Sequence, residues 1–486
     1  MCDFLNFCID ETLVFYHTFK KRVELVIVGI YRYCLDNMPV YLRRVIFWLF
    51  VITFSILGPV LVLYTAGYRL DTQGGGVVRT GVISLSTAPR SVRVLLDGED
   101  TRQKTPHVFK QLLPGDYTIR LEKIEYLSWQ GDVTVESGQT VSIQNLLLFL
   151  NAPVTELFHK DIDAMSVHPT GAIVAYLTSQ AGWNELWLYD LASGQHQLIS
   201  QSLQIQDEQD VELLWSPQGG YLAIFEPASD PNLYTTQGDP LLIDLPALSI
   251  ENIAWHPETD HLLYLNTASG LEQYDLITNR GESIEQTDAT SIQLDASILS
   301  FYDNGTHTEV QQLIDNKKEV LALLPRETYE LKERDGNYLL LENSKSLITL
   351  LEIHSKNPIL IERKAISFDW LANQDLLVYS DGSEVNIYNA HTGETTFLTR
   401  QSLPIESVLW HPIGQHVIVQ DTADIQTYEY QPLAKERHVT TLLDDIDVER
   451  WWLSDGGQTM YLYGTRGGAN GFFKRELMKD TLGFEL

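Results

Sequence analysis

Length, composition and charge narrow the class of protein. The chain has 486 residues, with 34 Lys and Arg against 65 Asp and Glu, and a formal net charge of −31 at pH 7. Residues 1–70 hold seven of these bases and five of the acids, which leaves 27 bases and 60 acids for residues 71–486. This excess of acid argues against binding to nucleic acid or to an anionic lipid surface. We therefore expect no nucleic-acid partner.

The N-terminal residues 1–44 contain all three cysteines, Cys2, Cys8 and Cys34, without the paired spacing of a metal site. Apolar residues recur at helical spacing between Thr12 and Leu35. The pattern predicts an amphipathic helix that lies in a membrane interface or packs on a partner helix.

A run of 22 residues without charge, Val45–Ala66, follows this segment. A helix of that length crosses the hydrocarbon core of a bilayer, roughly 30 Å. Arg43 and Arg44 abut its N-terminal side, which favours a cytoplasmic N-terminus and an uncleaved signal anchor. A cleaved signal peptide is the alternative, but its n-region would have 44 residues, far beyond the usual length. The sequence thus predicts a single-pass cell-membrane protein whose later domains lie outside the cytoplasm.

Residues 67–79 contain three consecutive glycines and are predicted to be a flexible linker. Residues 80–146 then alternate apolar and polar side chains in short runs, separated by turn signals such as Asp97-Gly98 and Pro114-Gly115. This pattern predicts a small β-sandwich.

The same segment resembles the PEGA domain family. The resemblance implies an extracytoplasmic accessory module and does not imply catalysis. Of the Pro-Glu-Gly-Ala that names the family, the chain keeps the proline alone. The positions that match the family pattern are Pro89, Val94, Asp97, Gly98, Thr105, Pro106, Leu113, Pro114, Gly115, Tyr117, Tyr126 and Gly138.

Residues 147–486 repeat a unit of strand, tight turn and apolar strand at a spacing of about 36–47 residues, typical of propeller blades. Eight units are counted, two of them degenerate, at Ser291 and Glu330, so we predict eight blades, with seven as the alternative. Residues 151–158 precede the first unit and are expected to supply a strand that closes the ring with the last blade. The clearest units are SVHPTGAIVAYL at Ser166, LLWSPQGGYLAIF at Leu213, IAWHPETDHLLYL at Ile253 and VLWHPIGQHVIVQ at Val408.

These units resemble the TolB-like family of β-propellers, relatives of WD-repeat propellers. The resemblance implies a fold, because one propeller architecture hosts many functions. The predicted fold class is therefore mainly β: a transmembrane helix, a small sandwich and a propeller.

Two sets of periodic residues suggest chemistry and are interpreted as structural. His168, His256 and His411 each precede a proline at the same repeat position, but equivalent positions of different blades are spread around a ring. The tryptophans of the repeats are expected in the core rather than on a ligand platform. We predict no catalytic residue, no metal site and no cofactor. The tryptophans in question are Trp215, Trp255 and Trp410.

One surface is predicted to bind a partner. Residues 161–279 hold 17 acids and no Lys or Arg. Such a concentration of charge attracts a basic partner surface collectively, although each exposed pair is weak. The predicted surface comprises Asp207, Glu208, Asp210 and Glu212.

Two functions from different classes follow. The first is a membrane-anchored binding or scaffold protein of the cell envelope, whose propeller docks a protein or a cell-surface polymer. The alternative is a propeller enzyme, a hydrolase or lyase that acts on envelope glycan or peptide. The residues that line the propeller axis distinguish the two, because an enzyme needs convergent charged groups there.

Overall fold

The computed structural model describes residues 39–71, 76–180, 183–203, 205, 211–227, 229–243, 250–256, 259–267, 270–284, 291–294, 298–314 and 317–479. The predicted amphipathic segment between Thr12 and Leu35 lies outside the described residues. The chain divides into two compact units: Met1–Ser84 with Val108–Asp116 and Thr134–Ser142 form one, and the remaining residues form the other.

Helix α1, Val40–Thr65, belongs to the first unit and has 26 residues, none of them buried. It begins after Pro39, whose backbone is extended, with φ −64° and ψ 144°. It therefore starts five residues before the predicted span at Val45, and it includes Arg43 and Arg44, since arginine is a good helix former. Its mean hydropathy is 2.5 over its most apolar 18 residues, so by length and composition it is able to cross a membrane.

The segment predicted as a flexible linker contains a β-hairpin, and residues 72–75 at its tip lie outside the described residues, so their flexibility stays a prediction. Strands β1, Tyr68–Asp71, and β2, Gly76–Arg79, pair antiparallel on either side of the glycines. The hairpin is held at both ends, because Arg69 donates to the side chain of Gln111 and the Thr80 amide donates to the Gly67 carbonyl at 2.8 Å.

The small β module comprises seven strands in two sheets, one of three strands in the order β6-β3-β9 and one of four in the order β5-β4-β7-β8. The predicted turn at Asp97-Gly98 is confirmed, since Leu96 pairs with Glu99 across it and both turn residues have positive φ. The strands are β3 Gly81–Ala88, β4 Arg93–Leu96, β5 Glu99–Lys104, β6 His107–Leu112, β7 Gly115–Glu122, β8 Trp129–Val135 and β9 Thr140–Leu147.

Eight antiparallel sheets of four strands follow in the described residues, and we number them in chain order. Both degenerate repeat units, at Ser291 and Glu330, form such sheets. Sheets 1 and 2 comprise β11 Ala164–Val167, β12 Ile173–Gln180, β13 Trp183–Asp190 and β14 Gln195–Leu203, then β15 Glu212–Trp215, β16 Tyr221–Phe225, β17 Asn232–Thr235 and β18 Pro240–Leu241. Sheets 3 and 4 comprise β19 Ile250–Trp255, β20 Leu262–Thr267, β21 Gly270–Asp275 and β22 Arg280–Ile284, then β23 Ser291–Leu294, β24 Ile298–Asp303, β25 Thr308–Ile314 and β26 Lys317–Leu324.

Sheets 5 to 7 also have their strands in chain order, whereas sheet 8 has the order β10-β41-β40-β39. Sheets 5 and 6 comprise β27 Tyr329–Asp335, β28 Tyr338–Asn343, β29 Leu347–Glu352 and β30 Ile359–Lys364, then β31 Ser367–Leu371, β32 Leu376–Ser380, β33 Glu384–Asn389 and β34 Thr395–Arg400, with a short 3₁₀ helix at Ala372–Gln374. Sheets 7 and 8 comprise β35 Ile405–Trp410, β36 His416–Asp421, β37 Ile425–Glu429 and β38 Val439–Leu443, then β39 Asp447–Leu453, β40 Thr459–Arg466 and β41 Ala469–Glu476, completed by β10 Thr155–His159.

Strand β10 joins the beginning of this region to its end. It pairs antiparallel with β41, with Thr155 opposite Lys474 and His159 opposite Gly471. The prediction that residues ahead of the first repeat unit pair with the last unit is confirmed.

The first strands of consecutive sheets are in contact. The indole N–H of Trp215 donates to the Ser166 carbonyl of the preceding sheet at 3.3 Å, and Trp255 donates in the same way to Leu214 at 3.0 Å. Strand β23 contacts β19 and β27, and β35 contacts β31. Later sheets are linked by the indoles of Trp370, which donates to Asp335 at 3.1 Å, and Trp451, which donates to Ser407 at 2.8 Å.

The eighth sheet also contacts the first, so the series closes. Arg450 on β39 donates to the Met165 carbonyl on β11 at 3.3 Å. Between these two sheets lies a buried aromatic cluster that includes Tyr176, Tyr463 and Phe472. Sheets linked in a ring around their first strands form a β-propeller. The other core clusters lie mainly between neighbouring sheets, and apolar burial there stabilises the ring.

Candidate functional site

An axial cavity of about 390 Å³ lies against the first strands of sheets 6, 7, 8 and 1. Because the first strand of each sheet contacts the next first strand around the ring, these strands surround the axis. The lining residues are Met165, Ser166, Val167, Ser367, Phe368, Ser407, Val408, Leu409, Gln420, Glu449, Arg450, Trp451 and Trp452.

Aromatic, methionine and arginine side chains give this cavity the composition of a protein–protein contact. Phe368, Trp451 and Trp452 are half-buried, and Arg450 is exposed. The indole of Trp451 is held in place by Ser407 Oγ and Gln420 Oε1, both at 2.8 Å. Trp, Met and Arg are enriched in interfaces, and rigid aromatic anchors carry much of the binding energy there.

The indole of Trp452 has a further property. It stacks on Tyr461 with ring centroids 5.7 Å apart, and its buried Nε1 has no hydrogen-bond partner among the described residues. A buried N–H without an acceptor costs about 1–3 kcal/mol.

Three carboxylates gather on the first strands of sheets 5 and 6. Crowding by protein atoms, then the negative charges of Asp369 and Asp335, raise the pKa of Glu333 to about 7. Glu333 nonetheless keeps solvent contact. Burial likewise raises the pKa of Asp369 to about 6, even though its Oδ2 accepts the Trp410 amide at 2.6 Å. The inner strands therefore bring charged side chains from different sheets toward the axis, and Glu333 and Asp369 are able to exchange protons near neutral pH.

The predicted packing role of the His-Pro histidines is confirmed where their contacts are described. The ring of His168 contacts the Gly219 carbonyl through Nε2 at 3.1 Å, and His411 contacts Gly457 in the same way at 3.2 Å. Each glycine belongs to the equivalent turn of the next repeat unit. A Cβ on Gly219, where φ is +77°, would lie 1.9 Å from His168 Nε2, so glycine makes room for the ring. His256 stacks on Tyr264 within its own sheet, with centroids 5.7 Å apart.

The repeat tryptophans lie in the core, as predicted. Trp215 is 9% exposed and Trp410 is 4% exposed, while Trp255 is half-buried. The indoles of Trp215 and Trp255 donate to the preceding sheet, and Trp410 packs in a core cluster shared by sheets 6 and 7, so these side chains help to hold the ring together.

The predicted acidic partner surface falls largely outside the described residues. Asp207, Glu208 and Asp210 lie there, so their placement stays a prediction. Glu212 is exposed at the start of β15, opposite Phe225 in the ladder. It thus lies on a first strand of the propeller.

Sequence reasoning missed the cavity aromatics and the carboxylates near the axis. Trp451 and Trp452 occur in a weak repeat copy, and Glu333 in a degenerate one. The sequence pattern that could have identified Glu333 is a charged residue inside a first strand, where packing normally demands apolar or small side chains. Among the described residues, no group of three His, Cys, Asp or Glu is placed to hold a metal ion.

The β module has a known relative. Residues 80–147 match the PEGA domain. The predicted resemblance over residues 80–146 is therefore confirmed for this part of the chain.

Solved structures align with about two thirds of this chain. The structure of Sqt1 from Saccharomyces cerevisiae aligns with a TM-score of 0.44 and 10% identity, over 67% of this chain and 99% of that chain. Sqt1 from Chaetomium thermophilum aligns with a TM-score of 0.46 and 12% identity, over 67% and 100%. The C-terminal WD40 domain of Sif2 aligns with a TM-score of 0.46 and 14% identity, over 66% and 98%. A search among curated proteins found no match.

Proposed function

We propose that this protein is a membrane-anchored, extracytoplasmic scaffold of the cell envelope, and that its eight sheets are the blades of one propeller that docks a protein partner at the axial cavity. The observation that carries the proposal is the lining of that cavity by Phe368, Trp451, Trp452 and Arg450. Rigid aromatic rings beside an exposed arginine fit a protein surface better than a bare polar polymer.

The anchor is helix α1. All of its residues are unburied within the structure, so its apolar surface has no protein cover among the described residues. A bilayer provides that cover, and the arginines Arg43 and Arg44 at its start favour a cytoplasmic N-terminus. Protease added to intact protoplasts is expected to degrade the propeller and to spare an epitope placed at the N-terminus. Cleavage of the epitope with a protected propeller would reverse the assigned orientation.

Proximity labelling in intact cells tests the docking site. The full-length protein carries the labelling enzyme, and wild type is compared with Arg450→Glu and Phe368→Ala. We expect one set of labelled proteins to fall at least tenfold in both variants. Arg363→Glu is the matched control, because Arg363 is exposed on the outer strand β30, away from the axis. An identical set of labelled proteins in all variants would show that the axial cavity is not the docking site.

A propeller enzyme is the second candidate, and the carboxylates Glu333 and Asp369 favour it. Both have raised pKa values, about 7 and about 6, on neighbouring first strands. Carboxyl groups that titrate near neutral pH suit general acid and base roles in glycan hydrolysis. The test is release of reducing ends from isolated cell-wall glycan by the wild-type protein and by Glu333→Gln. Release of reducing ends by the wild type that is lost in Glu333→Gln would establish the enzyme. If the wild type releases none, the scaffold remains the proposed function.

A further inference from the structure

A second cavity lies apart from the axis, where the end of strand β9 meets the turns of sheets 6 and 7. Its volume is about 290 Å³, near the lower end of the range typical of small-molecule sites. It combines residues that are far apart in the chain, since Gln144 comes from the β module and Gln431 from the turn after β37. The lining residues are Gln144, Gln374, Ile413, Gly414, Gln415, His416, Glu429, Tyr430, Gln431 and Leu433.

Two buried ionisable residues, His416 and Glu429, line this cavity. His416 is 6% exposed, and its Nδ1 has no hydrogen-bond partner among the described residues. Burial holds the pKa of His416 down to about 3, so the ring is neutral at physiological pH and Nδ1 is either a donor or an acceptor. Glu429 is 3% exposed, and its Oε1 already accepts the indole N–H of Trp129 at 2.7 Å. A ligand atom that reaches Nδ1 of His416 would satisfy it, and an unmade buried hydrogen bond is costly.

Four glutamines also line this cavity. A carboxamide offers two donors and an acceptor, and so it matches groups that both donate and accept. Gln374 packs closely against Gly414, where φ is +77°. A Cβ added to Gly414 would lie 2.0 Å from Gln374 Nε2. The half-buried Ile413, Tyr430 and Leu433 supply apolar surface between the amides.

We propose that this cavity binds a single neutral sugar ring. The hydroxyl groups of a sugar each donate and accept, and so they match the carboxamides and the neutral ring of His416, while the C–H faces of the sugar suit Tyr430 and the aliphatic side chains. Among the described residues that line the cavity none is Lys or Arg, which disfavours phosphate or another anion. Glu429 is engaged by Trp129, which disfavours a cationic amine as the ligand.

The experiment uses the full-length protein in lipid nanodiscs, free of glycosidic detergents. Saturation-transfer NMR is recorded with methyl α-glucopyranoside and N-acetylglucosamine, and with propylammonium and methyl phosphate, whose C–H protons report binding, as competing chemical classes. We expect transfer to at least one of the sugars and none to the two ions. Transfer to propylammonium or methyl phosphate without the sugars, or to none of the four probes, would overturn the proposal.

Variants locate the binding. Gln431→Leu removes an exposed lining amide and is expected to weaken sugar binding at least tenfold, with an unchanged melting temperature. Gln195→Leu is the matched control, because Gln195 is exposed on β14 and lies outside the cavity. Ile413→Trp, which fills the cavity, is expected to abolish the signal. Equal sugar binding by Gln431→Leu, Ile413→Trp and wild type would place the sugar elsewhere and refute this site.

Discussion

At the scale of single residues, the indole of Trp129 connects strand β8 to sheet 7. Its Nε1 donates to Glu429 Oε1 at 2.7 Å, and the two side chains are 2% and 3% exposed. Its ring also faces His438, with centroids 5.9 Å apart. Burial raises the pKa of Glu429, although this hydrogen bond opposes the shift.

Trp129→Phe keeps an aromatic ring but leaves that buried carboxyl oxygen without its donor. We expect the free energy of unfolding to fall by about 1–3 kcal/mol, the cost of an unsatisfied buried polar group. Urea denaturation followed by circular dichroism measures the loss. Trp183→Phe is the control, since Trp183 is 57% exposed. Equal stability of wild type and Trp129→Phe would show that the hydrogen bond contributes nothing.

Glu333 predicts a pH dependence whose sign follows from its raised pKa. The folded protein binds this proton more tightly than the unfolded chain, whose pKa is 4.5, because the folded pKa is about 7. Its contribution to stability is therefore complete below about pH 4.5 and is lost as the pH rises through about 7. In Glu333→Gln we expect a flatter stability profile between these values and a higher melting temperature than wild type at pH 8. Parallel profiles would contradict the raised pKa.

At the scale of elements, strand β10 decides whether the ring is closed. Phe158 on this strand stacks on Phe472 of sheet 8 and on Tyr176 of sheet 1, with centroids 5.3 and 5.7 Å apart. One side chain thus ties the last sheet to the first.

Phe158→Ala is expected to lower the free energy of unfolding by about 3 kcal/mol, as large-to-small changes of packed phenylalanines do. Phe397→Ala is the matched control on the outer strand β34, where the ring is 53% exposed, and it is expected to change stability by less than about 0.5 kcal/mol. Urea unfolding of both variants provides the comparison. Similar losses in the two would mean that the ring does not depend on this strand.

The same elements show what the sequence reveals and where it stops. Local signals succeeded, because Asp97-Gly98 specifies its turn chemically and each repeat unit carries its own strand pattern. The hairpin at β1 and β2 was missed, since its stability depends on Gln111, some 40 residues away. The second cavity was also missed, because its amides come from Gln144 of the β module and from Gln374 and Gln431 of the ring, which only the folded chain brings together.

At the scale of the whole molecule, charge sets how a partner approaches. Residues 71–486 carry 27 bases and 60 acids, and such a field steers basic partners and is screened over about 8 Å at physiological salt. Replacing the predicted acidic surface (Asp207, Glu208, Asp210 and Glu212) by Asn or Gln is expected to slow association several-fold at low salt and to flatten its salt dependence.

Surface plasmon resonance at several salt concentrations measures this rate with a partner identified by labelling. The matched control neutralises the same number of exposed acids elsewhere, at Glu394, Glu436, Asp444 and Asp447. If both sets of replacements slow association equally, net charge rather than the predicted surface governs the encounter.

The pairing of β10 with β41 also governs the order of events during synthesis. His159 leaves the ribosome first, and Ala469 follows 310 residues later, as the two residue numbers give. At about 5–20 residues per second, translation takes about 15–60 s to cover that distance. Throughout this interval β10 has no partner, and an unpaired strand edge recruits other chains. A chain that stops before Ala469 therefore leaves β10 without its partner strand, and its ring stays open.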